Sequence, residues 1–110
     1  MESEKSLSEK AEKVVLEIMS GPYDGLTVEC DSFPITIGRG KDNTVTIPHD
    51  HLISRNHAKI TKEKGKLMLC DLGSTNGTFI GSKRVRKNAA VGLSELFRVG
   101  GTQMMIKIAR

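Results

Sequence analysis

The sequence predicts an all-β domain, and three observations carry that expectation. Apolar residues recur at every second position in short runs along most of the chain. Clusters of Gly, Asn, Asp and Pro separate those runs, and no segment after residue 13 carries a helical apolar stripe. A two-residue repeat is the signature of a strand with one face turned inward, and many short strands with frequent turns fold as a sandwich or barrel. At 110 residues the chain fits one domain, with no room for a second.

The runs follow in order. Val14, Leu16 and Ile18 alternate with Val15, Glu17 and Met19, and Gly21, Pro22, Asp24 and Gly25 then mark a turn. Leu26, Val28 and Cys30 continue the alternation, followed by Phe33, Ile35 and Ile37, then Val45 and Ile47, then Ala58 and Ile60. Next come Leu67 and Leu69, or alternatively their neighbours Met68 and Cys70. Phe79 and Ile80 lie beyond a turn at Asn76–Gly77, and Val85, Phe97 and Val99, then Met104, Ile106 and Ile108, complete about ten strands. The stretch Lys87–Leu96 is the least regular and reads as a loop or a helical turn.

Residues 1–13 stand apart from this pattern. They are polar, Ser6 and Glu9 resemble a capping box, and Leu7, Ala11 and Val14 fall at helical spacing, so they read as a flexible or short helical tail ahead of a domain at 14–110. The tail holds four Glu and three Lys, which leaves the domain with 14 basic and 9 acidic side chains. A domain of that sign attracts phosphate in some form: nucleic acid, anionic lipid or phosphorylated protein.

Composition narrows the classes further. The hydrophobic share is 37%, with three Phe, one Tyr and no Trp, so a modest core must rest on Ile, Val, Leu and Met. Convergent catalytic groups are hard to house at this size, which leans toward a binding module. Cys30 and Cys70 lack CxxC spacing and sit in apolar, strand-like runs, so they read as two buried, reduced thiols. No stretch is long and apolar enough to span a membrane and the N-terminus is not signal-like, so a cytoplasmic location is expected.

Three polar segments carry the chemistry. The first, Gly38-Arg39-Gly40-Lys41-Asp42-Asn43, follows an apparent strand; its glycines permit a sharp turn, and Arg39 offers a planar fork of donors suited to bidentate recognition of phosphate. The GxxxxGK[ST] spacing of a nucleotide-binding loop is absent. The second, His49-Asp50-His51-Leu52-Ile53-Ser54-Arg55-Asn56-His57, supplies a hydroxyl and a second cation. Its three histidines raise metal binding, but no cysteine lies close by and the spacing matches no ligand pattern, so no metal or cofactor is expected; His57 reads as a hydrogen-bonded structural residue. The third is Asp71-Leu72-Gly73-Ser74-Thr75-Asn76-Gly77-Thr78. Asn-Gly between strands is a hairpin signal, while Asn76 can also pair with a peptide backbone, and Ser74 and Thr75 add hydroxyls.

Taken together, Gly38–Arg39, Ser54–His57 and Thr75–Gly77, in that order on a β-rich chain, resemble the forkhead-associated (FHA) domain, and the likeness extends over about Val14–Arg110. The resemblance implies an FHA-like two-sheet β-sandwich of about eleven strands that recognises phosphothreonine through loops at one end. It implies that Arg39 and Ser54 hold the phosphate oxygens with help from Arg55 and Thr75, and that Asn76 grips the peptide main chain. Gly38, His57 and Gly77 would shape the loops, and a small pocket would take the threonine methyl. The chain departs from the family's usual look at Gly92-Leu93-Ser94-Glu95-Leu96, where many members carry Gly-Asp, and at Gly81-Ser82, where Asn-Gly is frequent.

The function so implied is phosphothreonine-dependent protein–protein interaction in Ser/Thr kinase signalling, without enzymatic activity. Partners would be kinase substrates or autophosphorylated kinase segments bound in trans, since residues 1–13 contain Ser3, Ser6 and Ser8 but no threonine that could fold back onto the site. The alternative is a basic nucleic-acid-binding β domain using Lys83-Arg84-Val85-Arg86-Lys87. That run has no interleaved aromatics for base stacking and reads equally as a solvated strand face, or as a surface favouring acidic residues beside the phosphothreonine. Catalysis finds no support, because Ser54 and His57 have no acidic orienter that the sequence can place.

Overall fold

The computed structural model describes residues 13–109; the tail assignment, including the Ser6–Glu9 capping box, falls outside them except at Lys13. Eleven strands form two sheets: β1 Val14–Ile18, β2 Thr27–Cys30, β3 Ile35–Gly38, β4 Val45–Thr46, β5 Ala58–Glu63, β6 Lys66–Asp71, β7 Thr78–Ile80, β8 Lys83–Arg84, β9 Asn88–Val91, β10 Phe97–Val99 and β11 Thr102–Ile108. One sheet runs β2-β1-β11-β10-β7-β8 and the other β4-β3-β5-β6-β9. All pairings are antiparallel except β3 with β4. This is the all-β class expected from the alternation, in the two-sheet sandwich form that the family resemblance implies.

The core lies where the inward faces meet. Val14, Leu16 and Ile18 of β1 pair directly with Ile108, Ile106 and Met104 of β11, and Phe97 and Val99 of β10 extend the same layer. Ile35 and Ile37 of β3, Ala58 and Ile60 of β5, and Leu67 and Leu69 of β6 supply the opposite layer. The register Ile60↔Leu69 resolves the ambiguity of β6, turning Leu67 and Leu69 inward and Met68 and Cys70 away. Full burial of each such Leu, Ile or Val contributes about 1.5–3 kcal/mol, so the stability sits in this interlayer contact.

The structure corrects four sequence expectations. Asn88–Val91, read as loop or helical turn, is strand β9, paired antiparallel with β6 through Met68↔Ala90 and Leu69↔Ala89. Asn and Ala are weak strand formers, and the pairing with β6 overrides that preference. The irregularity is confined to Gly92–Leu96, where the Gly92 amide donates to Glu95 Oε1 at 2.7 Å and Ser94 takes a φ of +64°. Cys30 is buried but Cys70 is only half-buried, since the register of β6 points it outward; both are free thiols. In β7 the buried residue is Thr78, while Phe79, expected as a core residue, turns to the outer face. Leu26 is exposed because β2 begins only at Thr27, at the rim of its sheet.

Candidate functional site

The three polar segments converge at one end of the sandwich. The first is the β3–β4 connection, the second joins β4 to β5, and the third joins β6 to β7. They meet because β3 and β5 are hydrogen-bonded neighbours, as are β5 and β6, so their connections on that side leave the sheet next to one another.

Backbone hydrogen bonds zip the first two loops together: Arg39 N–H donates to Ser54 O at 3.0 Å and Gly40 N–H to Arg55 O at 3.1 Å. Gly38 permits this approach, because a Cβ there would overlap the Arg55 carbonyl oxygen and stand 2.6 Å from Asn43 Nδ2. Asn43 Nδ2 reinforces the junction by donating to Gly40 O at 2.7 Å and Arg55 O at 2.8 Å. The Arg39 side chain is itself anchored, with Nε donating to Ile53 O at 3.0 Å, while the residue remains exposed. Ile53 is fully buried and pins the second loop to the core.

His57 joins the second loop to the third. Its Nδ1 accepts the Ser54 N–H at 3.0 Å, which leaves Nε2 to carry the proton and donate to Gly77 O at 2.8 Å. Both ring nitrogens are thereby committed, and the ring is fully buried. Ser54 Oγ accepts the Thr75 N–H at 3.2 Å, so the hydroxyl hydrogen can point outward. Asn76 Nδ2 donates to Leu52 O at 3.0 Å, and its side-chain carbonyl is an acceptor at the exposed rim.

The third loop is organised from beneath by Asp71, the last residue of β6. Its Oδ2 accepts the amides of Gly73 and Ser74 at 3.0 and 3.1 Å, and its Oδ1 accepts the hydroxyls of Ser74 and Thr78 at 2.6 and 2.7 Å. Ser74 turns its hydroxyl inward, where it also accepts the Gly77 amide at 3.0 Å. Gly77 takes a φ of +94°, a conformation that disfavours any side chain. Asp50 braces the second loop similarly, its carboxylate accepting from Leu52 N, Gly101 N and Thr102 Oγ1 at 2.9, 2.9 and 2.6 Å.

The sequence had assigned roles to Arg39, Ser54, Arg55, Thr75, Asn76, Gly38, His57 and Gly77, and the structure gathers all eight on these three adjoining loops. Arg39, Arg55, Thr75 and Asn76 are exposed, Ser54 is half-buried, and Gly38, His57 and Gly77 are buried. Arg55 leans toward the first loop: a Cβ on Gly40 would stand 2.7 Å from its Cγ, and with Gly40, Lys41, Asp42 and Asn56 it lines an open depression of about 240 Å³. Asn43, Asp50 and Asp71 carried no assigned role, although short Asx side chains in polar turns are the residue type that hydrogen-bonds nearby backbone amides. The other histidines stand apart from the cluster's bonding; His49 stacks on Tyr23 with ring centroids 5.9 Å apart. Among the described residues no group of three or more His, Cys, Asp or Glu could hold a metal ion.

Two ionisable groups, the buried His57 and the half-buried Asp71, make this end acid-sensitive. Burial pushes the His57 imidazole below its ordinary 6.5, against smaller opposing contributions from the Gly77 carbonyl, Asp71 and Asp50. For Asp71, burial acts to raise the carboxyl, but the hydrogen bonds from Ser74, Thr78 and Gly73 outweigh it and hold the group below its ordinary 3.8. The unfolded chain therefore takes up a proton at His57 before the folded chain does. Stability is fully present above about pH 6.5 and declines as pH falls below that value toward the folded pKa, with the Asp71 contribution lost only in stronger acid. Urea denaturation should give a lower midpoint at pH 5.5 than at pH 7.5; a pH-independent midpoint across that interval would contradict the account.

A family model described as the FHA domain matches residues 35–99, from β3 through β10 and across all three loops. The chain belongs to the FHA domain family. Among curated proteins it is 28% identical over 92 residues to FHA domain-containing protein FhaB of Mycobacterium tuberculosis (strain CDC 1551 / Oshkosh), a match covering 84% of this chain and 59% of FhaB. The chain thus spans little more than half the length of that relative. A shorter match, 46% identical over 54 residues, is to the E3 ubiquitin-protein ligase CHFR of Danio rerio and covers 47% of this chain and 8% of that protein. Among solved structures, one from a structural and functional study of phosphothreonine-dependent FHA domain interactions superposes with a TM-score of 0.76 at 28% identity, covering 89% of this chain and 98% of its own. The FhaA FHA domain, solved in complex with the intracellular domain of Rv3910, superposes with a TM-score of 0.73 at 29% identity, covering 86% of this chain and 99% of its own. The two FHA-atypical stretches are both turns: Gly81 takes a φ of +59° between β7 and β8, and Ser94 turns between β9 and β10.

Proposed function

We propose that this FHA domain is a phosphothreonine-dependent binding module of Ser/Thr kinase signalling, taking phosphorylated segments of other proteins in trans. The observation that carries the reading is the linked set of exposed donors at one end of the sandwich. Arg39 is anchored through Nε to Ile53 O, and Ser54 Oγ is held against the Thr75 amide beside it. A phosphothreonine brings about −1.5 to −2 charges and three strong acceptor oxygens at neutral pH. In this reading the terminal amino groups of Arg39 and the Ser54 hydroxyl donate to those oxygens, with Arg55 and Thr75 contributing at the margin. Asn76, whose amide nitrogen is steadied by Leu52 O, presents its side-chain carbonyl to a peptide N–H.

Binding rather than turnover fits the local chemistry. Ser54 and His57 are not a nucleophile and its base, since the imidazole bonds the Ser54 backbone amide and the Gly77 carbonyl and not the Ser54 hydroxyl. A similar FHA structure studied for phosphothreonine-dependent interactions, and the FhaA FHA domain solved in complex with an intracellular domain, support a phosphorylated protein as the partner class; kinase substrates and autophosphorylated kinase segments are the partners this reading proposes. A cytoplasmic location agrees with such partners.

The test is titration of matched phosphothreonine, phosphoserine and unphosphorylated peptides. Phosphothreonine peptides should bind at least about tenfold more tightly than unphosphorylated ones, a difference of about 1.4 kcal/mol. Equal affinity for phosphorylated and unphosphorylated forms would refute the reading.

A further inference from the structure

Asn76 and Gly77 form the chain's one Asn-Gly pair, since Asn43, Asn56 and Asn88 precede Thr44, His57 and Ala89. Asparagine is a thermolabile residue, and glycine is the follower that exposes it most, because no side chain shields the next backbone nitrogen. Once deprotonated, that nitrogen attacks the asparagine Cγ; the bond from Cγ to Nδ2 breaks, and the side-chain nitrogen leaves as ammonia. Water then opens the succinimide at either carbonyl and leaves an aspartate or an isoaspartyl linkage. The steps are redox-neutral and need only base and water. The side chain at stake is the one that faces the peptide main chain in the proposed site.

The third loop restrains both reacting groups. The nucleophile is the Gly77 nitrogen, whose N–H donates to Ser74 Oγ at 3.0 Å from a buried position. The Ser74 hydroxyl in turn donates to Asp71 Oδ1 at 2.6 Å. Removing the Gly77 proton would put a second negative charge two hydrogen bonds from a carboxylate, which like-charge repulsion disfavours. The hydroxyl has its single proton committed to Asp71 and cannot turn it toward an anionic nitrogen. The electrophile is held separately: Asn76 Nδ2 donates to Leu52 O at 3.0 Å, which ties the side-chain amide to the second loop. Beyond the pair, the Gly77 carbonyl is clamped by His57 Nε2 at 2.8 Å and by the Gly100 amide at 3.2 Å. Attack requires the Gly77 N–H to leave Ser74 and the Asn76 amide to leave Leu52, so it proceeds only through an opened loop. We infer that the Asp71–Ser74 pair is a chemical lock that keeps residue 76 an asparagine, and that Asn76 is the deamidation site through which this domain loses its ligand when the lock opens. The loss of ligand rests on the phosphothreonine reading; the deamidation chemistry does not.

The folded wild type, the wild type unfolded in urea and Ser74→Ala are incubated in mildly alkaline buffer. Peptide mapping follows the conversion of amide to acid and the appearance of isoaspartate at position 76. Because Ser74→Ala also lowers stability, Ile60→Val and Ile106→Val, substitutions in the strand core, are combined as a control matched to its urea midpoint. Folded wild type should deamidate at least about tenfold more slowly than the unfolded chain, and Ser74→Ala at least about threefold faster than the matched core variant. Equal rates in folded and unfolded wild type, or a Ser74→Ala rate no higher than that of the core variant, overturns the lock. Asn76→Asp, the product, should bind a phosphothreonine peptide at least about tenfold more weakly, because its carboxylate cannot donate to Leu52 O and repels the phosphate. Wild-type affinity in Asn76→Asp overturns the link from deamidation to ligand loss. A wild type that itself ignores the phosphothreonine peptide refutes the phosphothreonine reading and that link together, while the deamidation rates still decide the lock.

Discussion

Arg39→Ala is expected to weaken binding of a phosphothreonine peptide by at least about tenfold while leaving the fold intact. A charge-assisted hydrogen bond contributes about 1.5–3 kcal/mol, and a bidentate guanidinium makes two at once. Tenfold in affinity needs only about 1.4 kcal/mol, so the loss of a single such bond suffices. The residue is exposed, and its side chain is tied by the Nε bond to Ile53 O while its backbone bond to Ser54 O survives truncation, so Arg39→Ala removes little packing. Arg39→Lys should recover only part of the affinity, because an ammonium keeps the charge but lacks both the fork and the Nε donor that aims it. Isothermal titration of one phosphopeptide against wild type and both variants, alongside urea denaturation, reads both quantities. Unchanged affinity in Arg39→Ala would remove that residue from the site.

His57→Ala is expected to act the other way round, through stability first and affinity as a consequence. The imidazole accepts from Ser54 N and donates to Gly77 O from a fully buried position. Truncation leaves a buried amide and a buried carbonyl without their partner and opens a cavity beneath the loops. Each orphaned group costs about 1–3 kcal/mol, so a loss of about 2–6 kcal/mol is expected. Affinity for a phosphothreonine peptide should fall as well, since the bond between the second and third loops sets the spacing of Ser54 against Asn76. An unaltered urea midpoint would mean that solvent or a neighbouring group replaces both bonds. The pH dependence provides an independent check, because the fall in stability below about pH 6.5 should be smaller in His57→Ala than in wild type.

These two residues illustrate how far the amino-acid sequence could be read. Arg39 was recognisable by residue type and setting, an arginine between two glycines directly after an apolar run, and the structure places it at the loop rim as that setting implies. His57 was recognisable as structural, but its two partners were not, since Gly77 lies twenty positions away and comes near only when β5 and β6 pair. Asp71 went without a role although it anchors four hydrogen bonds, because it ends a strand whose inward face could not be chosen between Leu67–Leu69 and Met68–Cys70. The direction of the Ser74 hydroxyl was likewise not legible, and it is the Asp71 carboxylate that turns it in.

The same division holds for the strands. β1 and β11 stand out in the sequence because Val14, Leu16, Ile18, Met104, Ile106 and Ile108 repeat at period two, and both strands lie inside their sheet rather than at its edge. β9 escaped notice because Asn88, Ala89 and Ala90 lack the β-branched signature, and only pairing with β6 makes them a strand. Phe79 was placed in the core by its hydrophobicity, yet the register Val99↔Thr78 puts Thr78 inside and leaves Phe79 on the outer face between Arg98 and Arg84. A one-residue choice of register reverses every side chain of a strand, and a three-residue strand has too little pattern to make that choice itself.

What the sequence determined by itself is therefore the all-β class, the family, and the residue types gathered at the binding end, since these follow from local periodicity, turn chemistry and three short motifs. What only the tertiary structure decided is which of those residues stand exposed at the loop rim and which hold the loops, together with the placement of Phe79 between Arg98 and Arg84 on the outer face. Those outcomes depend on hydrogen bonds and register between segments far apart in the chain. Such contacts exist only once the two sheets have closed on each other, and the local pattern of residues does not encode them.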